Sequence, residues 1–232
     1  DRRAEHLIRV LGVGVGSSVR MGILDGPRGQ GVVADVRAGE VRLHGVFEDP
    51  PPPEPRIDLL LALPRPKVLK RLWAPLASLG VGRILLTNAA KVERNYFDTH
   101  WLEPGHFVPL LMEGLEQSGD TRLPRVSVHR RLKPLVEDEL DAHVADARRF
   151  VLHPCGASGW PGAGPDPIPR ILAAIGPEGG WTSFELELLE AHGFIRLSLG
   201  WRTLRSDTAC IAAVSALQAL AASGIRYGIE PR

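Results

Sequence analysis

The sequence predicts an α/β protein in which a small antiparallel β domain precedes a larger domain of alternating strands and helices. Three observations lead to this prediction. Residues 1–48 contain short segments rich in Val, Leu and Ile, separated by glycine-rich turns. Five prolines then fall within the seven residues 49–55. From Ile57 onward, continuous apolar strands alternate with helical patterns, which is typical of a sheet with helices on both faces.

The first domain begins with a helical turn predicted over residues 6–11. Strands are predicted over residues 17–24, 31–36 and 41–47, with turns at 25–29 and 38–39. Short strands at this spacing favour a small antiparallel sheet or barrel. The proline run can continue neither a helix nor a central strand, and it favours an extended spacer. We therefore predict a β domain over 1–48, a proline-rich linker over 49–56 and an α/β domain over 57–232.

The α/β domain opens with the apolar run 57–63, which is typical of a strand buried on both faces of a parallel sheet. Residues 67–79 carry apolar side chains at helical spacing, and Pro75 is expected to kink or split that helix. Further strands are predicted over residues 83–87, 126–129, 150–153, 171–175 and 195–199.

The composition predicts a globular protein that has neither a disulfide scaffold nor a membrane span. Of 232 residues, 44% are hydrophobic and 24% are charged, which is ordinary for a globular chain. The two cysteines, Cys155 and Cys210, match no metal-ligand spacing, so we expect a reduced, cytoplasmic protein without a disulfide scaffold. No apolar run reaches the roughly 20 residues that span a bilayer, so no membrane is expected.

Charge is unevenly distributed although the net charge is only +1. Residues 65–94 contain seven basic residues and the single acid Glu93, and more arginines follow up to residue 131. A basic middle of this kind can face a polyanion. On charge alone, solvated helix faces are the better interpretation.

A glycine-rich turn follows the predicted strand 171–175. It reads Gly176-Pro177-Glu178-Gly179-Gly180, and Thr182–Glu185 then has the form of a helix capping box. Glycine lets the backbone approach a ligand closely, and amides at a helix start suit an anion. The turn has neither Walker A nor dinucleotide-binding spacing. Taken alone, it is equally well a simple tight turn between a strand and a helix.

A second loop follows the predicted strand 195–199. It contains Gly200, Arg202 and Arg205, and a helix begins at Ser206 or Asp207. That helix is short of charge, which predicts burial on most sides, in a core or a dimer interface. Its predicted apolar face consists of Cys210, Ile211, Val214, Leu217 and Leu220. The arginines have either a substrate anion or a structural carboxylate as partner, for example Arg202 with Glu178 or Glu185.

The two loops together resemble the paired signature of the RsmE family, which belongs to the SPOUT superfamily. Ile-Gly-Pro-Glu-Gly-Gly (175–180) is followed by Leu-Gly-x-Arg-x-Leu-Arg-x-Asp-Thr-Ala (199–209). Residues 115–119, Leu-Glu-Gln-Ser-Gly, resemble a third family segment, and residues 3–11 resemble its N-terminal domain. The resemblance implies a methyltransferase that uses S-adenosyl-L-methionine to modify N3 of a uridine in small-subunit ribosomal RNA. It also implies a C-terminal trefoil-knotted parallel sheet and a small N-terminal PUA-like β-barrel.

The resemblance also implies the site residues. The cofactor pocket would be lined by Ile175, Gly176, Pro177, Glu178, Gly179, Gly180, Leu199, Gly200, Leu204 and Arg205. As catalytic hypotheses, Arg205 (or Arg202) stabilises negative charge on the uracil, and Asp207 or Glu178 accepts its proton. The candidates for RNA binding are Arg2, Arg3, Arg9, Lys67, Lys70, Arg94 and Arg202. His153 and His192 are interpreted as structural.

The implied partners are ribosomal RNA or the small ribosomal subunit, and a second copy of the chain in a homodimer. No metal is required, because the sulfonium itself carries the electrophilic methyl group. Asp207 stands where the family usually has Glu, and Asp120 where it usually has Arg. Residues 74–80 lack the family's Gln-Lys-x-Thr-Glu-Leu-Gly pattern. These departures leave the modified base open.

Three alternatives remain at this point. The first is ribose 2′-O methylation by the same class of enzyme. The second is an RNA-binding homologue without catalytic activity. The third is an enzyme that uses the glycine-rich turn for a phosphorylated small molecule, against which the missing P-loop lysine weighs.

Overall fold

The structure, a computed structural model, describes residues 2–37, 39–144, 146–154 and 170–223. Two sheets organise these residues, one antiparallel with three strands and one with six strands. Cys155, one of the two cysteines considered above, lies outside the described residues.

The N-terminal part contains one helix and the three-stranded sheet. Helix α1 (Arg2–Arg9) is followed by β1 (Ser18–Gly22), β2 (Arg28–Arg37) and β3 (Glu40–Asp49). The strands pair antiparallel in the order β1-β2-β3. The three predicted strands are confirmed, whereas the helix begins earlier than the predicted turn. β3 ends at Asp49, where the proline run starts.

The second sheet is parallel between all neighbouring strands and has the order β6-β5-β4-β8-β7-β9. Its strands are β4 (Ile57–Ala62), β5 (Val81–Thr87), β6 (Arg125–His129), β7 (Arg148–Leu152), β8 (Ile171–Ile175) and β9 (Phe194–Leu197). Every residue of the central pair β4 and β8 is buried. Each strand lies within two residues of its predicted bounds, which confirms the predicted α/β class.

The helices connect these strands. They are α2 (Pro66–Ser78), α3 (Pro104–Ser118), α4 (Leu132–Pro134), α5 (Leu140–His143), α6 (Ser183–Ala191) and α7 (Ser206–Ser223). Two 3₁₀ helices (Arg94–Asp98 and His100–Leu102) precede α3, and a π-helical turn (Leu135–Glu139) joins α4 to α5. Within the described ranges, no helix combines the length and apolarity that crossing a membrane requires.

Helix α2 contains Pro75 but is not split, in contrast to one of the two predicted outcomes. Proline removes one backbone hydrogen bond, the one to the carbonyl four residues earlier. The helix ends at Ser78, and the Leu79 amide donates to the Pro75 carbonyl at 2.9 Å. Because Pro75 stands in the last turn, it interrupts little of the hydrogen-bond ladder.

Helix α7 buries Cys210, Val214 and Leu217 of its predicted apolar face, and Leu220 is partly buried against the core. The buried residues are Cys210, Ala213, Val214, Leu217 and Ala221, whereas Ile211 is 40% exposed. The helix contacts α2, β4 and β8, and small alanines allow this close packing. Within the chain's own core the prediction is therefore wrong for Ile211, whereas burial of this helix against a second copy of the chain stays a prediction. Burial raises the pKa of the Cys210 thiol to about 12, which makes it an inert core residue.

The segment 121–123, just before β6, holds the N-terminal part against the parallel sheet. The Asp25 amide donates to the Thr121 carbonyl at 2.7 Å, and the Thr121 hydroxyl donates to the Gly26 carbonyl at 2.7 Å. Arg122 Nε donates to the Pro52 carbonyl at 2.9 Å. Both the β1–β2 turn and the proline run are thus hydrogen-bonded to the same short segment, residues 121–123.

A buried ion pair ties the start of β4 to the start of β8. The Asp58 side chain is 0% exposed, and Arg170 Nε lies 2.5 Å from its Oδ2. Arg83 Nη1 lies 3.7 Å from the same oxygen. Burial raises the pKa of Asp58, while Arg170 and Arg83 act in the opposite direction. Removing one partner of such a pair leaves a poorly solvated charge behind.

We expect Asp58→Ala to lower the free energy of unfolding by about 3 kcal/mol, because Arg170 loses its buried partner. Urea denaturation followed by circular dichroism measures this change. The control is Glu190→Ala, which breaks the surface pair between Glu190 and Arg196. Exposed pairs contribute little, so this variant should unfold close to the parent midpoint. Equal loss in both variants would contradict a special role for Asp58.

Candidate active site

The two motif loops follow strands β8 and β9, at the carboxyl edge of the parallel sheet. In sheets of this type the loops after the carboxyl ends of the strands gather at one edge and form the ligand site. The loops after β4 and β5 reach the same edge. Hydrogen bonds and ion pairs join these loops to one another and to the helices beside them.

The loop after β8 exposes its backbone at three glycines, where a side chain would meet a neighbour or the backbone conformation favours glycine. A Cβ atom on Gly176 would lie 3.1 Å from Trp181 Nε1, and one on Gly179 would lie 2.7 Å from Lys91 Cδ. Gly180 has a φ of 70°, which favours glycine. Its amide donates to the Pro177 carbonyl at 2.8 Å. Backbone groups therefore form the surface of this turn.

The Glu185 carboxylate joins this loop to the loop after β5. Thr182 and Glu185 form the predicted capping box at the start of α6, with the Thr182 amide 2.8 Å from Glu185 Oε2. The other oxygen, Oε1, accepts the Ala90 amide at 2.7 Å. Glu185 is only 5% exposed. The sequence predicted the capping box but not the contact with Ala90, since the two residues are far apart in the chain.

Two further contacts hold the loop after β8. The Arg65 amide, in the loop after β4, donates to Glu178 Oε1 at 3.3 Å. Lys91 Nζ donates to the Gly179 carbonyl at 2.7 Å. The Glu178 side chain itself remains exposed. Lys91 was counted among the basic residues, but nothing in its spacing marked it as a contact of the glycine-rich turn.

The loop after β9 turns sharply at Gly200, whose φ is 109°. Ser198 Oγ accepts the Gly200 amide at 3.1 Å and lies 3.2 Å from the carbonyl of Pro154, which follows β7. Leu199 and Leu204 are half-buried, whereas Arg205 is exposed. The predicted pocket residues of this loop thus present two apolar side chains and one cation.

Asp207 begins α7 and is held by two partners. Its Oδ2 lies 2.7 Å from Arg71 Nη2, and its Oδ1 accepts the Thr208 amide at 3.0 Å. Arg71 belongs to α2, so this ion pair fixes the start of α7 to α2. The sequence did not indicate a partner for Asp207.

Arg202 forms neither of the structural pairs considered above. Its guanidinium lies 4.4 Å from the centre of the Trp201 ring. Glu178 and Glu185 instead accept backbone amides. The interpretation of Arg202 as half of an ion pair with either carboxylate was therefore wrong.

Three buried polar atoms at this edge make no hydrogen bond to any described residue. They are Thr87 Oγ1 and Asn88 Oδ1 at the end of β5, and Trp181 Nε1 in the loop after β8. Buried polar groups in native proteins are nearly always paired with protein, water or ligand. These atoms are therefore available to a polar ligand or to water at the edge.

The seven candidates for RNA binding fall in two groups. Arg2, Arg3 and Arg9 lie on α1, which contacts β3; Arg9 is paired with Glu5 at 2.9 Å. The second group follows the carboxyl ends of β4, β5 and β9 and consists of Lys67, Lys70, Arg94 and Arg202. Lys70 Nζ lies 4.6 Å from the centre of the Trp101 ring. Only the second group lies on segments that follow the carboxyl ends of strands in the parallel sheet.

One histidine cluster escaped the sequence analysis. His129, Glu139 and His143 bring potential metal-ligand atoms within 4.8 Å of one another, with His129 Nδ1 3.0 Å from Glu139 Oε2. Burial lowers the pKa of His129, so its ring favours the neutral form. His192 is structural as expected, since its Nδ1 lies 2.8 Å from the Leu188 carbonyl. Ten residues separate His129 from Glu139, too far for a recognisable spacing.

Comparison with known proteins relates this geometry to a family. Residues 51–218 match the family model described as RNA methyltransferase domain. The chain is 30% identical over 229 residues to the ribosomal RNA small subunit methyltransferase E of Treponema pallidum (strain Nichols), covering 94% of this chain and 83% of that one. It is 24% identical to ribosomal RNA small subunit methyltransferase E 1 of Borreliella burgdorferi, covering 92% and 88%.

Solved structures share the fold. A Legionella pneumophila protein in complex with S-adenosylmethionine matches with a TM-score of 0.75 at 24% identity, over 94% of this chain and 89% of that one. The ribosomal RNA small subunit methyltransferase E of Neisseria gonorrhoeae, bound to S-adenosyl methionine, matches with a TM-score of 0.72 at 22% identity, over 95% and 90%. At these identities the likeness establishes the fold.

We expect Glu185→Ala to destabilise the protein by about 2 kcal/mol, because the Ala90 and Thr182 amides lose their charged acceptor. The matched control is Glu187→Ala, an exposed residue of the same helix, which should leave stability near the parent value. Urea denaturation measures both. Hydrogen exchange should also show faster exchange at the Ala90 and Thr182 amides in Glu185→Ala alone; unchanged exchange there would contradict the described contacts.

Proposed function

The chain belongs to the RNA methyltransferase family, within the ribosomal RNA small subunit methyltransferase E group, and we propose that it methylates N3 of a uridine in small-subunit ribosomal RNA with S-adenosylmethionine as donor. The observation that carries this proposal is the position of α2. Arg65, just before this helix, holds Glu178 of the loop after β8, and Arg71 holds Asp207 after β9. One helix thus contacts both halves of the paired motif.

The residues at the carboxyl edge fit S-adenosylmethionine. Backbone groups of 176–180 and of Gly200 would hold its polar parts, while Leu199 and Leu204 offer apolar contact. The unpaired atoms of Thr87, Asn88 and Trp181 supply further hydrogen-bonding capacity. When bound, the cofactor supplies a methyl group on a positively charged sulfur. A glycine cradle, apolar contacts and unpaired polar atoms together support this cofactor over a simple phosphate.

Methylation at uracil N3 requires loss of the N3 proton, which leaves negative charge on the ring. The exposed guanidinium of Arg205 is the proposed stabiliser of that charge. Of the two proposed proton acceptors, Glu178 is better placed, because its side chain is exposed, whereas Asp207 is engaged by Arg71 and its own helix. Glu178 would accept the proton directly or through water.

The finer structural features expected from the family remain part of the proposal. They are the trefoil knot in the α/β domain, a PUA-like barrel completed around β1–β3, and the domain bounds 1–48, 49–56 and 57–232. A homodimer through α7 is supported by the exposure of Ile211 on that helix. An enzyme of ribosomal RNA would act in the cytoplasm, on an unstacked uridine.

Calorimetric titration with S-adenosylhomocysteine tests the cofactor site. We expect the parent protein to bind and Gly179→Trp to lose binding, because even a Cβ at Gly179 meets the Lys91 side chain. The control is Gly105→Trp in α3, where a Cβ meets nothing within 4 Å. Absence of binding by the folded parent, with and without ribosomal RNA, would refute the cofactor assignment.

Arg205→Ala should lower the methyl-transfer rate by about 100-fold.

Mass spectrometry of digested RNA tests the position of the methyl group. After incubation with small-subunit ribosomal RNA and S-adenosylmethionine, we expect a nucleoside that carries the methyl group on the uracil base and co-elutes with an N3-methyluridine standard, not with the C5 isomer of equal mass. A methyl group on the ribose fragment would instead identify a 2′-O methyltransferase.

A Glu178→Gln variant should transfer the methyl group more slowly than the parent. The ratio of the two rates should increase as the pH falls toward neutrality, because less uracil is then deprotonated without help and a protein base contributes more to the rate.

A further inference from the structure

Trp201 is the most exposed large apolar residue among those that the structure describes, with 80% of its surface accessible. It stands in the loop after β9, between Gly200 and Leu204, which are both proposed to line the cofactor pocket. Large aromatic side chains usually bury most of their area. The exposure of an indole on a loop of the candidate active site therefore indicates a binding role.

The surroundings of Trp201 are cationic. The Arg202 guanidinium lies 4.4 Å from the centre of its ring and covers one face. Arg205, three residues after Arg202, is also exposed. The nearest acid in the sequence, Asp207, is paired with Arg71 at 2.7 Å, so it does not cancel these charges. The loop presents a flat aromatic ring with one guanidinium on its face and a second exposed arginine four residues further along the chain.

An aromatic ring combined with cations is the arrangement with which proteins hold unpaired RNA, since bases stack on the ring and phosphates pair with the cations. A protein partner would fit this loop less well. The residues beside Trp201 in the loop are exposed and polar or glycine: Gly200, Arg202 and Thr203. They provide no apolar border for a protein interface.

We propose that Trp201 is a base-stacking residue, which takes a nucleobase next to the target nucleotide on the face of its indole opposite Arg202. This inference rests on the proposed RNA methyltransferase function and adds a substrate-positioning contact to it. Arg202 packs against the other face of the indole and orients it, and its positive charge also attracts the phosphate of the stacked nucleotide. Trp201 would thereby keep the strand in an extruded form beside the methyl donor.

The test measures RNA affinity by fluorescence anisotropy, with a labelled small-subunit RNA fragment that contains the mapped target uridine. Stacking on an aromatic residue contributes about 1–3 kcal/mol per base, so Trp201→Ala should bind about 10-fold to 100-fold more weakly. Trp201→Phe keeps a stacking ring and should bind within about threefold of the parent. The matched control is Phe184→Ala, which removes another exposed aromatic ring, 62% accessible, from α6.

A second arm identifies the contacted base. Fragments with an abasic nucleotide on either side of the target are compared for parent and Trp201→Ala. At the position that stacks on Trp201, the abasic site should remove the difference in affinity between the two proteins, because neither can then form the contact. At other positions the difference should persist.

Titration with S-adenosylhomocysteine keeps this proposal separate from the proposed function. Parent and Trp201→Ala should bind it alike, since the indole points to solvent; failure of both to bind would count against the cofactor site and not against stacking. Unchanged RNA affinity in Trp201→Ala would overturn the stacking role. So would a parent dimer that Trp201→Ala converts to monomer in sedimentation, because Trp201 would then belong to a subunit interface.

Discussion

The geometry of the candidate site depends on one buried carboxylate, that of Glu185. It accepts amides from both the start of α6 and the loop after β5, and the bond from Lys91 Nζ to the Gly179 carbonyl adds a second link between the same two regions. A carboxylate that accepts several amides is a strong, directional link. With α6 held in this way, the glycine turn before it has a fixed end, and its backbone can face a ligand instead of collapsing onto the sheet.

Helix α2 adds a second level of order. The backbone just before its first turn holds Glu178, and Arg71 in its middle holds Asp207, while its apolar face lies in the core. A shift of this helix would therefore change the loops after β8 and β9 together. The two halves of the motif are separated by about twenty residues of chain, yet both contact the same helix in the fold.

The sequence predicted the centre of the sheet well because β4 is largely apolar and β8 is apolar throughout, and both are buried along their whole length. Ile171–Ile175 is found with unchanged bounds. It predicted the capping box because that contact is local. It could not predict the pair of Asp58 with Arg170 or that of Arg71 with Asp207, since long-range partners leave no periodic trace. Ile211 was misplaced for a related reason: on an alanine-rich helix, hydrophobicity does not decide which face packs.

These long-range contacts also divide the site residues by role. Asp207 and Glu185 have their oxygens engaged by the protein, so their contacts position the loops. Arg205, Glu178 and Trp201 have exposed side chains on the same edge. The proposed function divides these residues in a second way: backbone and buried contacts would serve donor binding, whereas the exposed side chains would serve RNA binding and catalysis.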